Sequence, residues 1–123
     1  MKIINADRAP RAVGPYSHAA AAGGFVFTSG QIGLDPASGA LREGIEAQSE
    51  QALKNLGEVL AAAGVGYGDV VKTTCFLSDM GDFAAFNAVY EKYFAQKPAR
   101  SCVAAAALPK GALVEVEAVA AGQ

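Results

Sequence analysis

The sequence lacks several residues on which familiar active sites depend. It has no tryptophan, one histidine and two cysteines among its 123 residues. A single histidine excludes a histidine-rich metal cluster and a pair of histidines acting as acid and base. Cys75 and Cys102 are too far apart for a Cys-x-x-Cys redox or zinc motif, and the Gly-x-Ser-x-Gly motif of serine hydrolases is absent. We therefore expect no metal site and no serine-hydrolase chemistry.

Basic charge and long hydrophobic runs are also missing. The formal net charge of -2 leaves no basic surface for nucleic acid. No apolar run is long enough to cross a membrane, and the first residues lack the apolar segment of a signal peptide. Unpaired thiols in such a chain are typical of a reducing compartment. We expect a cytoplasmic protein that binds neither nucleic acid nor membrane.

The residues that are present are typical of one folded domain over residues 1–123. Hydrophobic periodicity predicts strands, a helix, a strand, a second helix and two further strands. This order indicates an α+β fold, with one sheet and two helices on one of its faces. The predicted strands are 2–5, 17–22, 25–31, 70–77, 98–103 and 114–121, and the predicted helices are 45–63 and 81–94.

The second face of this sheet is left uncovered by the two helices. It is also rich in alanine, valine and cysteine. We expect a chain this small to bury such a face against copies of itself. A functional site at the seam between subunits would follow.

Local signals support the predicted element boundaries. Two extended runs around Gly23-Gly24 indicate a β-hairpin, and Gly64 ends the first helix. Ser78 or Asp79 can cap the second helix. Pro98 is expected to end that helix and to begin the next strand, because proline fixes its own φ and lacks the amide donor.

Several polar residues near the predicted core have two interpretations. Gln48 and Gln51 fall on the polar side of the first helix, and His18 is expected to be a surface or partly packed side chain. Asn87 lies near the aromatic stripe of the second helix, where it is either a tolerated surface residue or has a specific role. Tyr16 ends a loop rich in proline and glycine, where its hydroxyl is either packed on a backbone partner or exposed to act.

The run from Pro98 to Val103 carries a clear chemical signal. Alternation along the strand places Arg100 and Cys102 on one face. A guanidinium grips a carboxylate or phosphate with two hydrogen bonds, and among apolar neighbours it needs an anion. That anion is either an acidic side chain in a structural salt bridge or a small ligand. Cys102 is either a nucleophile, whose pKa the neighbouring arginine would lower, or a packed residue; no histidine base lies near it in the sequence, which favours the packed residue.

A carboxylate on the last strand, from Glu115 or Glu117, extends this candidate set. Glu115 either positions and activates water or is a solvated, salt-bridged side chain. Tyr16 and Ser29 offer hydroxyl groups, and Gly30 allows a ligand or another backbone to approach closely. Together these residues suit a small carboxylate substrate that reacts with water.

Separated motifs along nearly the whole chain resemble the RidA family, also called YjgF/YER057c/UK114. The motifs are 14–17 (GPYS), 28–32 (TSGQI), 55–56 (NL), 69–74 (DVVKTT), 83–90 (FAAFNAVY), 98–100 (PAR), 108–110 (LPK) and 114–118 (VEVEA). The resemblance implies a chorismate-mutase-like α+β fold, a homotrimer with sites in the clefts between subunits, and no cofactor. The implied activity is hydrolysis of reactive 2-imino acids, the products of pyridoxal-phosphate dehydratases, to 2-keto acids and ammonia.

The resemblance also implies roles for individual residues. Arg100, Glu115 and Tyr16 form the implied catalytic set, in which Arg100 holds the substrate carboxylate and Glu115 places the hydrolytic water. Cys102 lines the pocket without attacking the substrate. The implied substrate-binding residues are Arg100, Cys102, Ser29, Gly30, Asn87 and Pro109.

One departure from the family pattern lies immediately before Pro-Ala-Arg. Members commonly carry an aromatic residue there, whereas this chain has Lys97, and the segment from Phe94 to Pro98 is short. This difference would change the pocket wall and with it the substrate range. Two alternatives stay open: a non-catalytic binder of small carboxylates, and a ribonuclease or translation inhibitor, which the acidic charge disfavours.

Overall fold

A mixed β-sheet forms the centre of the molecule. The structure is a computed structural model that describes residues 1–122, so Gln123, the last residue of the predicted domain, lies outside the described residues. The strands are β1 (Lys2–Ile4), β2 (Ala19–Ala22), β3 (Phe25–Thr28), β4 (Gln31–Ile32), β5 (Val70–Leu77), β6 (Ala99–Ala104) and β7 (Val114–Ala121). The helices are α1 (Ile45–Ala62) and α2 (Phe83–Tyr93), and short 3-10 turns lie at Tyr67–Asp69, Met80–Asp82 and Pro109–Gly111.

The sheet has the strand order β1-β2-β3-β7-β5-β6, with β4 also paired to β7. Only β5 and β6 are parallel, and the other pairs are antiparallel. The parallel pair is joined through α2, as a parallel connection requires a crossover. The α+β class predicted from the order of elements is confirmed.

Both helices pack on the same face of the sheet. The apolar stripe of α1, which includes Leu53, Leu56 and Leu60, is fully buried, and α1 contacts both β7 and α2. On β7 the residues facing this layer, Val114 and Val116, are fully buried as well. Burying each such side chain contributes about 1.5–3 kcal/mol, so this layer is the main core.

The opposite face of the sheet remains open and partly apolar. Phe25 and Phe27 alternate with buried Val26 and are 42% and 48% exposed, and Val103 of β6 is 48% exposed. The two phenylalanine rings contact each other, with centroids 6.5 Å apart. Apolar surface of this kind marks an association face more often than a solvated one.

Three polar side chains lie deeper than predicted. His18 is only 4% exposed, so its prediction as a surface or partly packed residue is wrong. Its Nδ1 accepts from the amide of Ala6 at 2.9 Å, and its Nε2 lies 2.8 Å from the carbonyl oxygen of Pro10. Since Nδ1 is the acceptor, Nε2 carries the proton and donates. The single histidine therefore links Ala6 and Pro10 of the N-terminal loop through hydrogen bonds.

Gln48 and Gln51 are also buried, at 4% and 9% exposure, and the prediction that they lie on the polar side of α1 is wrong. Gln48 accepts from the amide of Leu113 at 2.8 Å. Gln51 donates to Oδ1 of Asn55 at 2.8 Å, and the Asn55 amide donates to the carbonyl oxygens of Ile32, the last residue of β4, and of Leu34. These side chains satisfy loop backbone groups that no strand or helix pairs, a role that periodicity does not reveal.

The element boundaries follow the predicted signals with two main corrections, of which the first is that the predicted strand 25–31 is divided into β3 and β4. The glycines of the β2–β3 turn, Gly23 and Gly24, have φ of 61° and 83°, and Gly64 after α1 has φ of 80°, as these turns require. Asp79 accepts from the amide of Gly81 at 2.7 Å and caps the 3-10 turn before α2. Pro98 does not end α2, which stops at Tyr93, before a separate turn.

Candidate functional site

The Arg100 side chain lies against aromatic residues of α2. Its guanidinium carbon is 4.8 Å from the ring centroid of Tyr90 and 5.5 Å from that of Phe83. One guanidinium nitrogen donates to Oδ1 of Asn87 at 2.7 Å. Tyr90 is itself fixed, because its hydroxyl shares a 2.7 Å hydrogen bond with the buried Thr73 hydroxyl. The cation is therefore held in a defined orientation while half-buried.

No acidic side chain neutralises Arg100 within residues 1–122. The ion pairs of this part of the chain are Arg8–Glu58, Arg42–Asp35 and Lys92–Glu50. The interpretation of Arg100 as one half of a structural salt bridge is therefore wrong. A fixed, half-buried guanidinium with an amide as its only polar partner among these residues is suited to bind an anion from outside.

The aromatic cradle of Arg100 was not anticipated from the sequence. Phe83 and Tyr90 belong to the aromatic stripe of the second helix, and their rings stack on the guanidinium. The signal was present in the spacing, since residues 83, 87 and 90 fall on one stripe of a helix. That stripe supplies both the cation–π faces and the amide acceptor of Arg100.

Cys102 lies on the same face of β6 as Arg100 and pairs in register with Cys75 of β5. Burial raises the pKa of the Cys102 thiol, and the nearby Arg100 lowers it by less. The thiol is therefore protonated at neutral pH. This supports the interpretation of Cys102 as a packed contact residue.

Glu115 lies on β7, opposite Phe76 of β5 and Ile32 of β4. Burial raises the pKa of its carboxyl, and the charge of Glu117 adds to this effect. The carboxylate packs on the backbone of Gly30, where a Cβ atom would lie 2.7 Å from Cδ of Glu115. The close approach that the sequence suggested for Gly30 is therefore made by Glu115.

A cavity of about 370 Å³, called here the Glu115 cavity, contains several of the predicted site residues. Tyr16, Gly30, Pro109 and Glu115 line it together, and its other walls are mainly apolar. Its lining is Pro10, Arg11, Val13, Tyr16, Gly30, Gln31, Ile32, Leu34, Pro36, Gly39, Pro109, Lys110 and Glu115. Ser29 lines a neighbouring groove with Tyr16, and its hydroxyl donates to the carbonyl oxygen of Ser17 at 2.6 Å.

A second cavity of about 370 Å³, called here the Arg100 cavity, lies between α2 and β6. Asn87 and Arg100 line it, but Tyr16, Gly30, Pro109 and Glu115 do not. Its lining is Asn87, Tyr90, Glu91, Phe94, Lys97, Pro98 and Arg100.

The two cavities open on different faces of the sheet. Arg100 pairs in register with Thr73, which faces the helices, whereas Glu115 pairs with Phe76 of the same strand. Paired residues share a face, and faces alternate along β5 between positions 73 and 76. The two cavities are therefore separate, and one chain does not bring the predicted site residues together in one place.

No group of three histidine, cysteine, aspartate or glutamate side chains in residues 1–122 is arranged to hold a metal ion.

Among the helices of residues 1–122, none has the length and apolar character needed to span a bilayer.

The fold and the two cavities define a small α+β protein that presents a fixed guanidinium and a separate, partly buried carboxylate. A sequence model of the family described as Endoribonuclease L-PSP matches residues 6–122. The chain belongs to this family, which is the RidA family that its motifs resemble.

Curated relatives and solved structures agree with this assignment. The 2-iminobutanoate/2-iminopropanoate deaminase of Mus musculus is 50% identical over 121 residues, which cover 97% of this chain and 90% of the relative. The enzyme of the same name from Salmonella typhimurium is 47% identical over 97% of this chain and 96% of its own length.

Among solved structures, E. coli TdcF with bound serine superimposes with a TM-score of 0.95 at 41% identity, covering all of both chains. RidA from an Antarctic Psychrobacter also has a TM-score of 0.95, at 44% identity, over 98% of this chain and 99% of that one. The predicted family is confirmed.

Proposed function

We propose that this protein hydrolyses 2-imino acids to 2-keto acids and ammonia. The observation that carries the proposal is the Arg100 guanidinium, which is fixed by Asn87 and two aromatic rings and has no acidic partner among the described residues. Such a group selects a substrate carboxylate. Close relatives from mouse and Salmonella named 2-iminobutanoate/2-iminopropanoate deaminase support this substrate class.

The active unit is proposed to be a homotrimer with its sites between subunits. Arg100 and Glu115 lie on opposite faces of one sheet, so a substrate that contacts both must lie between two copies of the chain. The exposed phenylalanines on the open face, Phe25 and Phe27, supply apolar surface for that association. The Arg100 cavity of one copy would then be completed by the Glu115 cavity of the next.

The reaction needs positioning and the transfer of one proton at a time. Arg100 binds the carboxylate and so fixes the adjacent C=N carbon. A water oxygen bonds to that carbon, the C=N π pair moves to nitrogen, and Glu115 accepts the proton released by the water. Glu115 passes this proton to nitrogen, which gives the carbinolamine. Glu115 then carries the hydroxyl proton to nitrogen as the C=O bond forms and the C–N bond breaks, which leaves the keto acid and ammonia.

The remaining predicted residues shape the pocket. Tyr16, Gly30 and Pro109 line the Glu115 cavity, which supports a proposed contact of the Tyr16 hydroxyl with the reacting nitrogen or water. Ser29 holds the loop that carries Tyr16, and Cys102 packs beside Arg100. No cofactor has a role in this scheme. The free thiols of Cys75 and Cys102 support a cytoplasmic setting.

The test couples a threonine or serine dehydratase to a keto-acid readout, with and without this protein. Faster imine decay is expected with the wild type, and none with Arg100→Ala. Arg8→Ala is the matched control, since Arg8 is exposed and pairs only with Glu58 at the surface. Full activity in a folded Arg100→Ala trimer would contradict the proposal.

The structure of TdcF with bound serine favours one alternative, a protein that binds small amino or keto acids without turning them over. Calorimetry that shows 2-oxobutanoate binding, together with imine decay at the uncatalysed rate, would support this alternative. The family description also names an endoribonuclease, but the net charge of -2 gives no basic groove for RNA.

A further inference from the structure

Lys97 has an unusual backbone conformation at the wall of the Arg100 cavity. Its φ is 55°, and among non-glycine residues of 1–122 only Lys110, at 58°, is comparable. The left-handed region is disfavoured for residues with a side chain. Lys97 also precedes Pro98, and a residue before proline favours an extended backbone. The sequence therefore keeps a lysine where a glycine would be less strained.

The strain arises from the short connection between α2 and β6. The helix ends at Tyr93 and the strand begins at Ala99, and the amide of Lys97 donates to the carbonyl oxygen of Phe94 at 3.1 Å. Glycine is the usual residue for such a turn. Strained residues of this kind concentrate at functional sites, because the side chain is needed there.

The Arg100 cavity holds a second cation, Lys97, that has no ion-pair partner within residues 1–122. Lys97 and Arg100 both line it, with Glu91 as the only acidic residue of the lining. Neither cation belongs to the ion pairs formed within residues 1–122. The cavity thus carries a net positive charge on a chain whose net charge is -2, which favours anionic ligands.

We propose that Lys97 forms a subsite for a second carboxylate, so that the site accepts 2-imino dicarboxylic acids such as 2-iminoglutarate. Arg100 holds the carboxylate next to the imine, and Lys97 pairs with the carboxylate at the far end of the side chain. The proposal rests on the proposed deaminase function and leaves its chemistry unchanged. It specifies the substrate class at the position where this chain departs from the family's aromatic residue.

The test compares one dicarboxylate with one monocarboxylate in two assays. Calorimetry measures the Kd of 2-oxoglutarate and of 2-oxobutanoate, and imines made in situ from glutamate and 2-aminobutyrate by an amino-acid oxidase give kcat/KM. In Lys97→Gly, both readouts for the dicarboxylate are expected to weaken by about fivefold, the upper effect of one exposed ion pair. The monocarboxylate values are expected to stay within about twofold.

Glycine also relieves the left-handed strain, so the Tm of Lys97→Gly is expected not to fall. Lys54→Ala is the control, since it removes one positive charge from the exposed side of α1 and lines neither cavity. Equal losses for both ligands, or no loss for either, would overturn the subsite. If wild-type protein hydrolyses neither imine, the deaminase function fails, and the two Kd values still decide whether Lys97 binds a second carboxylate.

Discussion

Arg100 and Glu115 lie on opposite faces of one sheet, two strands apart, with β5 between them. Arg100 is level with Thr73 on the helix-covered face, and Glu115 is level with Phe76 on the open face. The two faces of one sheet cannot both contact the same small molecule. The proposed reaction, which uses both residues, therefore requires two copies of the chain, and this requirement can be tested directly.

Mixed trimers are expected to recover activity from two inactive variants. Arg100→Ala and Glu115→Gln each remove one half of every site in their own homotrimers. When equal amounts are unfolded and refolded together, about a quarter of the sites should combine an intact Arg100 with an intact Glu115 from the neighbouring copy. The measurement is imine decay per trimer after co-refolding. Mixed trimers as inactive as the parents would show that both residues act from one chain.

Glu115→Gln is expected to stabilise the fold at neutral pH. The pKa of Glu115 is raised above its ordinary 4.5 by burial and by Glu117. Between the ordinary pKa and the raised one, the folded chain therefore keeps a proton on Glu115 that the unfolded chain has released. The free energy of unfolding therefore falls as pH rises through the raised pKa. Urea titrations should show the variant more stable than wild type at pH 7 and equally stable below about pH 4.

The same raised pKa should limit catalysis in acid. Water activation needs the ionised carboxylate, so kcat/KM should fall on the acid side with a midpoint above 4.5. A pH–rate profile for 2-iminobutanoate, corrected for uncatalysed hydrolysis, measures that midpoint. A midpoint at or below the ordinary value would assign the base to another group.

Gly30→Ala is expected to lower activity by about a hundredfold with the fold intact, since small displacements of a positioned group have effects of this size. The new methyl group would lie 2.7 Å from Cδ of Glu115 and push the carboxylate aside. Gly66→Ala is the matched control, because a Cβ there meets nothing within 4 Å and its φ of -135° suits any residue. Comparable losses in both variants would point to a general effect of the methyl group.

Cys102→Ser is expected to keep kcat/KM within about tenfold of wild type, the effect of losing one contact. Burial raises the pKa of the thiol, and Arg100 offsets this only in part, so little thiolate is present at neutral pH. Alkylation by iodoacetamide should accordingly be slow compared with a model thiol. Complete loss of turnover in a folded Cys102→Ser trimer would instead identify the sulfur as a nucleophile.

The sequence by itself determined the local structure and which residues share a face of β6 and of β7. Alternation placed Arg100 with Cys102 on one face of β6, and it separated Glu115 from Val114 and Val116 on β7. The hairpin at Gly23-Gly24 and the end of α1 at Gly64 were also predictable. These features depend on backbone periods and on the φ values that glycine allows, both of which act over a few residues.

Contacts between distant segments were not predictable in the same way. His18 and Gln48 are polar by residue type, yet the fold buries them because loop amides and carbonyls need partners. The absence of an acidic partner for Arg100, its stacking on Phe83 and Tyr90, and its separation from Glu115 depend on strand register and helix placement. Register is set by pairing between strands that are far apart in the chain, so only the tertiary structure decided that Arg100 and Glu115 lie on opposite faces of the sheet.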